Sequence, residues 1–191
     1  EKYFADKRQE RIAFFNSTYL EQATGKTISS GFGGREKGQL VDTQTSYVLP
    51  VALGVVDGET YYNCVSNLAE TIERQGTMDN GSVCAPYALL TGFIGTAWIS
   101  KALSDGGRSD IAYKLLLNEQ YPSWLYPVKQ GATTIWERLN SYTHSNGFGG
   151  NNRMNSFNHY SFGAVGAWLI NYSIGIRRDE TSPGFKHFII K

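Results

Sequence analysis

The chain has 191 residues, enough for one domain with a substantial apolar core, and its 18 Lys+Arg against 17 Asp+Glu leave a formal charge of +1. No block of five like charges occurs, so broad electrostatic attachment to nucleic acid or to anionic lipid has no support in the composition, and a neutral partner is expected. No apolar stretch approaches the ~20 residues of a membrane span and the start lacks a signal peptide, so the chain reads as soluble, its compartment left open between cytoplasmic and secreted.

In chain order, Tyr3 to Leu20 reads as a helix with Ile12, Phe15 and Tyr19 on one stripe. A glycine-rich loop follows, with Gly25, Gly31, Gly33, Gly34 and Gly38. Asp42 or Thr43 can cap a second helix running to about Val56, with Pro50 kinking it or lying near its start. Tyr61, Val65, Leu68 and Ile72 mark a third, amphipathic helix, with Glu70, Glu73 and Arg74 on its other face. Thr91 to Leu103 is a fourth, apolar helix, ended by Ser104-Asp-Gly-Gly107, and Asp110 to Asn118 a short fifth, broken at Tyr121-Pro122. A sixth helical stretch is expected from Thr133, carrying Trp136 and Glu137, and then a Gly/Asn-rich loop from Ser145 to Asn155. The last helix spans about Tyr160 to Tyr172, and Phe185 to Ile190 suits a strand. Nearly all-apolar helices thus alternate with amphipathic ones, the pattern that inner and outer layers of a helical barrel require.

Cys64 and Cys84 are too few and too far apart for a metal knuckle or a disulfide framework and are expected as buried free thiols. His144, His159 and His187 form no i, i+4 pair, and Gly147 to Asn152 lacks the Lys-Ser/Thr of a phosphate loop, so neither a metal nor any other cofactor is expected. The compositional excess that points toward chemistry is aromatic, with 12 Tyr, 10 Phe and 4 Trp: rings stack on sugar C–H faces, although most must fill the core.

Glu137 stands beside Trp136 in a charge-poor segment, after the small residues Gly131 and Ala132. Taken alone, such a carboxylate reads first as a surface group paired with Arg138 or Lys129, and His159 as a cap of the following helix or the partner of a buried backbone group. Trp124 and Trp136 can line a cleft or anchor packing. The motifs Ala-Thr-Thr-Ile-Trp-Glu-Arg (132–138) and Ser-Phe-Asn-His-Tyr (156–160), with Tyr-Pro-Ser-Trp (121–124) before and Pro-Gly-Phe (183–185) after, resemble the C-terminal half of the catalytic domain of bacterial α-L-rhamnosidases, glycoside hydrolase family 78. Leu139 departs from the tryptophan usual there.

That resemblance implies an all-α fold, a partial (α/α)6 toroid of about half the helical hairpins, over residues 1–182, with residues 183–191 starting a strand toward a β-sandwich. It implies inverting hydrolysis of terminal α-L-rhamnosyl linkages in rhamnose-containing glycosides, with Glu137 as general base and His159, Trp136 and Trp124 contacting substrate. Inversion needs a second carboxyl group about 6.5–9.5 Å from the first. The family's acid motif is not found between Glu1 and Lys191, so the chain reads as a piece that carries the base without the acid and is inactive in isolation. Self-association through an exposed barrel face, as a homodimer, is a further expectation. The rival readings are another (α/α)6 hydrolase or a polysaccharide lyase, and a non-catalytic carbohydrate-binding module.

Overall fold

The computed structural model describes residues 1–31, 37–78, 80–149, 153–182 and 184–191. Gly33 and Gly34 of the expected glycine loop, Gly150 to Asn152 of the Gly/Asn loop, and Pro183 at the expected domain boundary lie outside these residues.

Helix α1 (Lys2–Thr18) buries no residue completely; Ile12 and Phe15 of its expected stripe are half-buried. It is tied down instead by polar contacts, Arg8 Nη2 donating to Gly54 O at 3.0 Å and Asn16 Nδ2 to Val55 O at 2.9 Å. A short hairpin of β1 (Leu20–Glu21) and β2 (Lys26–Thr27) leads to α2 (Gln44–Ala52). Thr43 caps α2 through a reciprocal box with Ser46, each side chain accepting from the other's backbone N–H. Pro50 lies in the last turn of α2, where its missing N–H costs one hydrogen bond in a helix that stops two residues later.

Helix α3 (Gly58–Glu73) turns back against α2, burying Cys64, Val65, Leu68, Ala69 and Ile72 and exposing Tyr62, Ser66, Glu70 and Glu73. The expected fourth helix is two, α4 (Gly92–Thr96) and α5 (Ile99–Asp105), interrupted at Ala97 and Trp98. Helix α6 (Ser109–Leu117) packs back on α5, burying Ile111, Ala112 and Leu115. After the cis Tyr121–Pro122 bond comes the short α7 (Leu125–Lys129).

The sixth stretch is not helical: the described residues from 130 to 160 carry no helix, so Glu137 sits on irregular backbone. Gly131 takes a left-handed φ of +87°, and the β-branched run Thr133-Thr134-Ile135 gains little from a helix. Its polar groups pair across the chain instead, Thr134 Oγ1 donating to Phe157 O. The last helix is composite, a 3-10 turn (Ser161–Ala164), α8 (Val165–Trp168) and a π segment (Leu169–Ile174) that ends at Gly175 with φ +83°. Strand β6 (Phe188–Ile190) forms where expected, paired antiparallel with β5 (Ile176–Arg178). A further hairpin joins β3 (Gly76–Thr77) and β4 (Val83–Cys84).

Two helical hairpins, α2–α3 and α5–α6, therefore lie side by side through α2–α5 contacts, and α8 continues the inner row against α5. The core lies between the rows, centred on Tyr47, Leu68, Ile72, Ile99, Leu103, Ile111 and Leu115, all less than 2 % exposed. At one end the helices are joined by the tight turns Leu53 to Asp57 and Gly106 to Arg108. At the other, the long connections before α2, α4 and the 3-10 turn converge on the N-terminal ends of those elements. No helix among the described residues is long and apolar enough to cross a membrane.

Candidate active site

At that second end lies an open cleft of about 1020 Å³. Its walls come from residues 42–44 at the start of α2, from Thr71 and Arg74 to Met78 around the end of α3 and into β3, from Gly92 and Phe93 of α4, and from the segment Glu137 to Asn140. Buried Gln44 staples two of these together, its Nε2 donating to Ala88 O and its Oε1 accepting from Leu90 N–H, both at 2.8 Å. Pro122 O accepts from Leu89 N–H at 2.9 Å and Thr45 Oγ1 donates to Thr91 O at 2.7 Å, so the backbone leading into α4 is held by one main-chain bond and by side chains of α2.

Glu137 is half-buried and lines this cleft. Its N–H donates to Ser156 O at 2.9 Å, and the Ser156 N–H returns to Glu137 Oε2 at 2.9 Å. His159 N–H donates to Ile135 O at 2.9 Å. The two motifs thus run side by side through backbone pairing, which puts Glu137 on the cleft wall, whereas His159 is not among the residues that line it. Neither cation proposed as a surface mate takes Glu137: Arg138 donates through Nε to Met154 O at 2.7 Å and through Nη2 to Asn155 Oδ1 at 2.9 Å, while Lys129 pairs with Glu119 at 3.0 Å. One carboxylate oxygen, Oε2, is therefore held by a main-chain donor.

The His159 ring stacks on Phe93, a residue of the cleft wall, at 4.8 Å between centroids, and on Tyr160 at 5.7 Å. Its Nδ1 accepts from Ser161 N–H at 3.4 Å, at the first residue of the 3-10 turn.

The two tryptophans take packing roles and are not among the residues that line the cleft. Trp124 is buried in the main core with Nε1 donating to Phe162 O at 2.9 Å, and Phe162 does reach the cleft. Trp136 is buried in a separate ring cluster, edge-on to Phe157 at 5.2 Å and to Tyr142 at 6.4 Å, which braces the backbone next to Glu137. Trp124 is 7% and Trp136 6% exposed. Leu139, the departure from the tryptophan usual in the resembled family, is buried and lines the cleft with an aliphatic surface.

Sequence reasoning missed Asp42 and Arg74. Asp42 Oδ2 accepts from Arg74 Nη2 at 2.8 Å and Oδ1 from Tyr47 O–H at 2.6 Å, at the cleft wall. Burial opposes the Asp42 charge, but the hydrogen bonds from Tyr47 and Arg74 and the guanidinium charge outweigh it and hold the carboxyl below its ordinary range. Cys64 and Cys84 are free and buried, and no cluster of three metal-binding side chains occurs among the described residues.

The sequence model of the bacterial alpha-L-rhamnosidase six-hairpin glycosidase domain matches residues 1–173. The chain belongs to that family. Among curated relatives, an alpha-L-rhamnosidase of Formosa agariphila is 39% identical over 171 residues, which is 88% of this chain and 17% of the relative. The alpha-L-rhamnosidase of Streptomyces avermitilis, solved in complex with L-rhamnose, superposes over 100% of this chain with a TM-score of 0.79 at 30% identity. The native enzyme of Aspergillus terreus does so with a TM-score of 0.78 at 28% identity. The chain spans 16% and 19% of those two structures. The layered α2–α3 and α5–α6 hairpins are thus part of a six-hairpin glycosidase domain, as the alternation of apolar and amphipathic helices implied.

Proposed function

We propose that this chain forms part of the catalytic domain of an α-L-rhamnosidase, a glycoside hydrolase that removes terminal α-L-rhamnosyl units with inversion, and that Glu137 is its general base. The observation that carries the reading is the Glu137–Ser156 pair, which anchors one carboxylate oxygen at the wall of a cleft, the carboxylate taking a proton from water. His159, paired to the same segment, orients a sugar hydroxyl or the water through Nε2. Trp136 and Trp124 act on the sugar indirectly, through the backbone of Glu137 and the ring of Phe162.

The general acid comes from outside the described cleft. The second carboxylate among the cleft-lining residues is Asp42, and a carboxyl held ionised by Arg74 and Tyr47 is a poor proton donor to a leaving oxygen. The activity therefore belongs to the protein of which this chain forms the Glu137 side of the cleft.

The test is release of rhamnose from p-nitrophenyl α-L-rhamnoside by the full-length protein, beside glucoside and uronide controls, with Glu137→Gln as the variant. Retained fold and a loss of about 10²–10⁴-fold in kcat are expected. A Glu137→Gln protein turning over at the wild-type rate removes the base assignment, and preference for a glucoside or uronide removes the substrate assignment.

A further inference from the structure

The cleft has a second polar pole that the proposed chemistry does not use. Besides the Glu137 segment its wall is built from Asp42, Arg74, Gln75, Thr77 and Asn80, which belong to the start of α2, the end of α3 and the β3–β4 hairpin. At about 1020 Å³ the cleft stands at the top of the range for small-ligand sites, well beyond what one monosaccharide fills.

Three observations single out the Asp42–Arg74 pair. Its geometry is locked: Arg74 Nη2 donates to Asp42 Oδ2 at 2.8 Å and to Asp42 O at 3.3 Å, while the Tyr47 hydroxyl, wholly buried, holds the other carboxylate oxygen at 2.6 Å. The guanidinium is not used up, because Nη1 stands 3.9 Å from Glu70 Oε1, beyond hydrogen-bond length, and the Arg74 side chain is 43% exposed. Asp42 also sits at φ +46°, a left-handed conformation that a non-glycine residue adopts at a cost.

We propose that the Asp42–Arg74 pair, with Gln75 and Asn80 beside it, is a second carbohydrate subsite, which holds the sugar to which the terminal rhamnose is linked. A vicinal diol is the chemistry that fits: the fixed guanidinium fork donates to one hydroxyl and the carboxylate accepts from its neighbour. Fixing both partners in advance removes the ordering cost that exposed charged side chains otherwise carry on binding. This inference rests on the rhamnosidase reading, and its consequence is specificity: rhamnosides whose leaving group is a hydroxylated sugar gain over those whose leaving group is a plain aryl ring.

The experiment uses the full-length protein with two substrates, p-nitrophenyl α-L-rhamnoside and an α-L-rhamnosyl disaccharide. Arg74→Met is expected to raise KM for the disaccharide about tenfold, leaving KM for the aryl rhamnoside and kcat for both within about twofold, with partial recovery in Arg74→Lys. Equal changes for both substrates, or no change for either, overturn the proposal. Saturation-transfer NMR on the Glu137→Gln protein, with and without Arg74→Met, gives a second readout: saturation of the second sugar falls relative to that of the rhamnose when Arg74 is replaced if the pair holds it, and keeps the same ratio if it does not. Wild-type turnover by Glu137→Gln strikes the base assignment alone, because the disaccharide-specific KM effect is read from Arg74.

Discussion

Glu137 and Ser156 are joined twice, the Glu137 N–H donating to Ser156 O and the Ser156 N–H donating to Glu137 Oε2, each at 2.9 Å. The second bond aims the carboxylate, and because its donor is main chain, an alanine at position 156 keeps it and a proline does not. Ser156→Pro is expected to lower kcat of the full-length protein about 10–100-fold toward p-nitrophenyl α-L-rhamnoside, with Ser156→Ala within a few-fold of wild type. Steady-state kinetics on the two variants check this, and equal loss in both would show that the hydroxyl, which accepts from Asn158 N–H at 3.2 Å, carries the effect.

Helices α2, α3, α5 and α6 were legible because their order is local: Val65, Leu68 and Ile72 repeat at helical spacing whatever lies around them. The 130–160 segment was not, because its conformation is set by partners about twenty residues away, Ser156 for Glu137 and His159 for Ile135. Its aromatic and β-branched residues carry no period of their own. Glu137 and His159 were found through motif resemblance, and no spacing rule would have singled them out. Arg74 read as one of several charges on the outer face of α3, and Asp42, 32 positions earlier, as a helix cap. Only the return of α3 against α2 reveals them as a pair. The same limit applied to Trp124 and Trp136, whose neighbours in sequence are silent about which side of the cleft wall a ring lies on.

Acid sensitivity follows from Asp42. Its carboxyl is held below the ordinary value of 3.8, so its contribution to stability is fully present above that value and is lost as pH falls through the lower, folded one. Asp179, lowered to about 2 by hydrogen bonds from Thr181 and His187, acts with the same sign. Asp42→Asn is therefore expected to lower the urea midpoint at pH 7, and to show a shallower fall than wild type between pH 4 and pH 2. Urea titrations across that range decide it, and parallel curves for the two proteins would show that the Asp42 charge contributes nothing.

The thiols should be silent in the native protein. Cys64 is wholly buried between α3 and Gly25, whose carbonyl accepts from Sγ–H at 3.3 Å, and burial pushes the thiol up to about 11. Cys84 is 5% exposed. Iodoacetamide at pH 8 is expected to label neither residue within hours under native conditions and both within minutes in denaturant. Mass spectrometry of the alkylated protein is the readout, and fast native labelling of Cys64 would mean that the α3–β2 contact opens readily.

Trp124 links the core to the cleft through a single bond, Nε1 to Phe162 O at 2.9 Å, and Phe162 stands edge-on to Phe93 at 5.6 Å. Trp124→Phe keeps much of the ring volume but leaves a buried carbonyl without its donor, a loss of about 1–3 kcal/mol. With two rings of the cleft wall depending on that carbonyl's position, the variant is expected to raise KM for p-nitrophenyl α-L-rhamnoside along with lowering the unfolding midpoint. Trp136→Phe makes the contrast. Its indole braces the Glu137 backbone through Phe157 and Tyr142, so its effect is expected in kcat, with KM nearly unchanged. Kinetics and thermal unfolding measured on both variants separate the two clamps, and identical KM and kcat shifts would show that the rings serve stability alone.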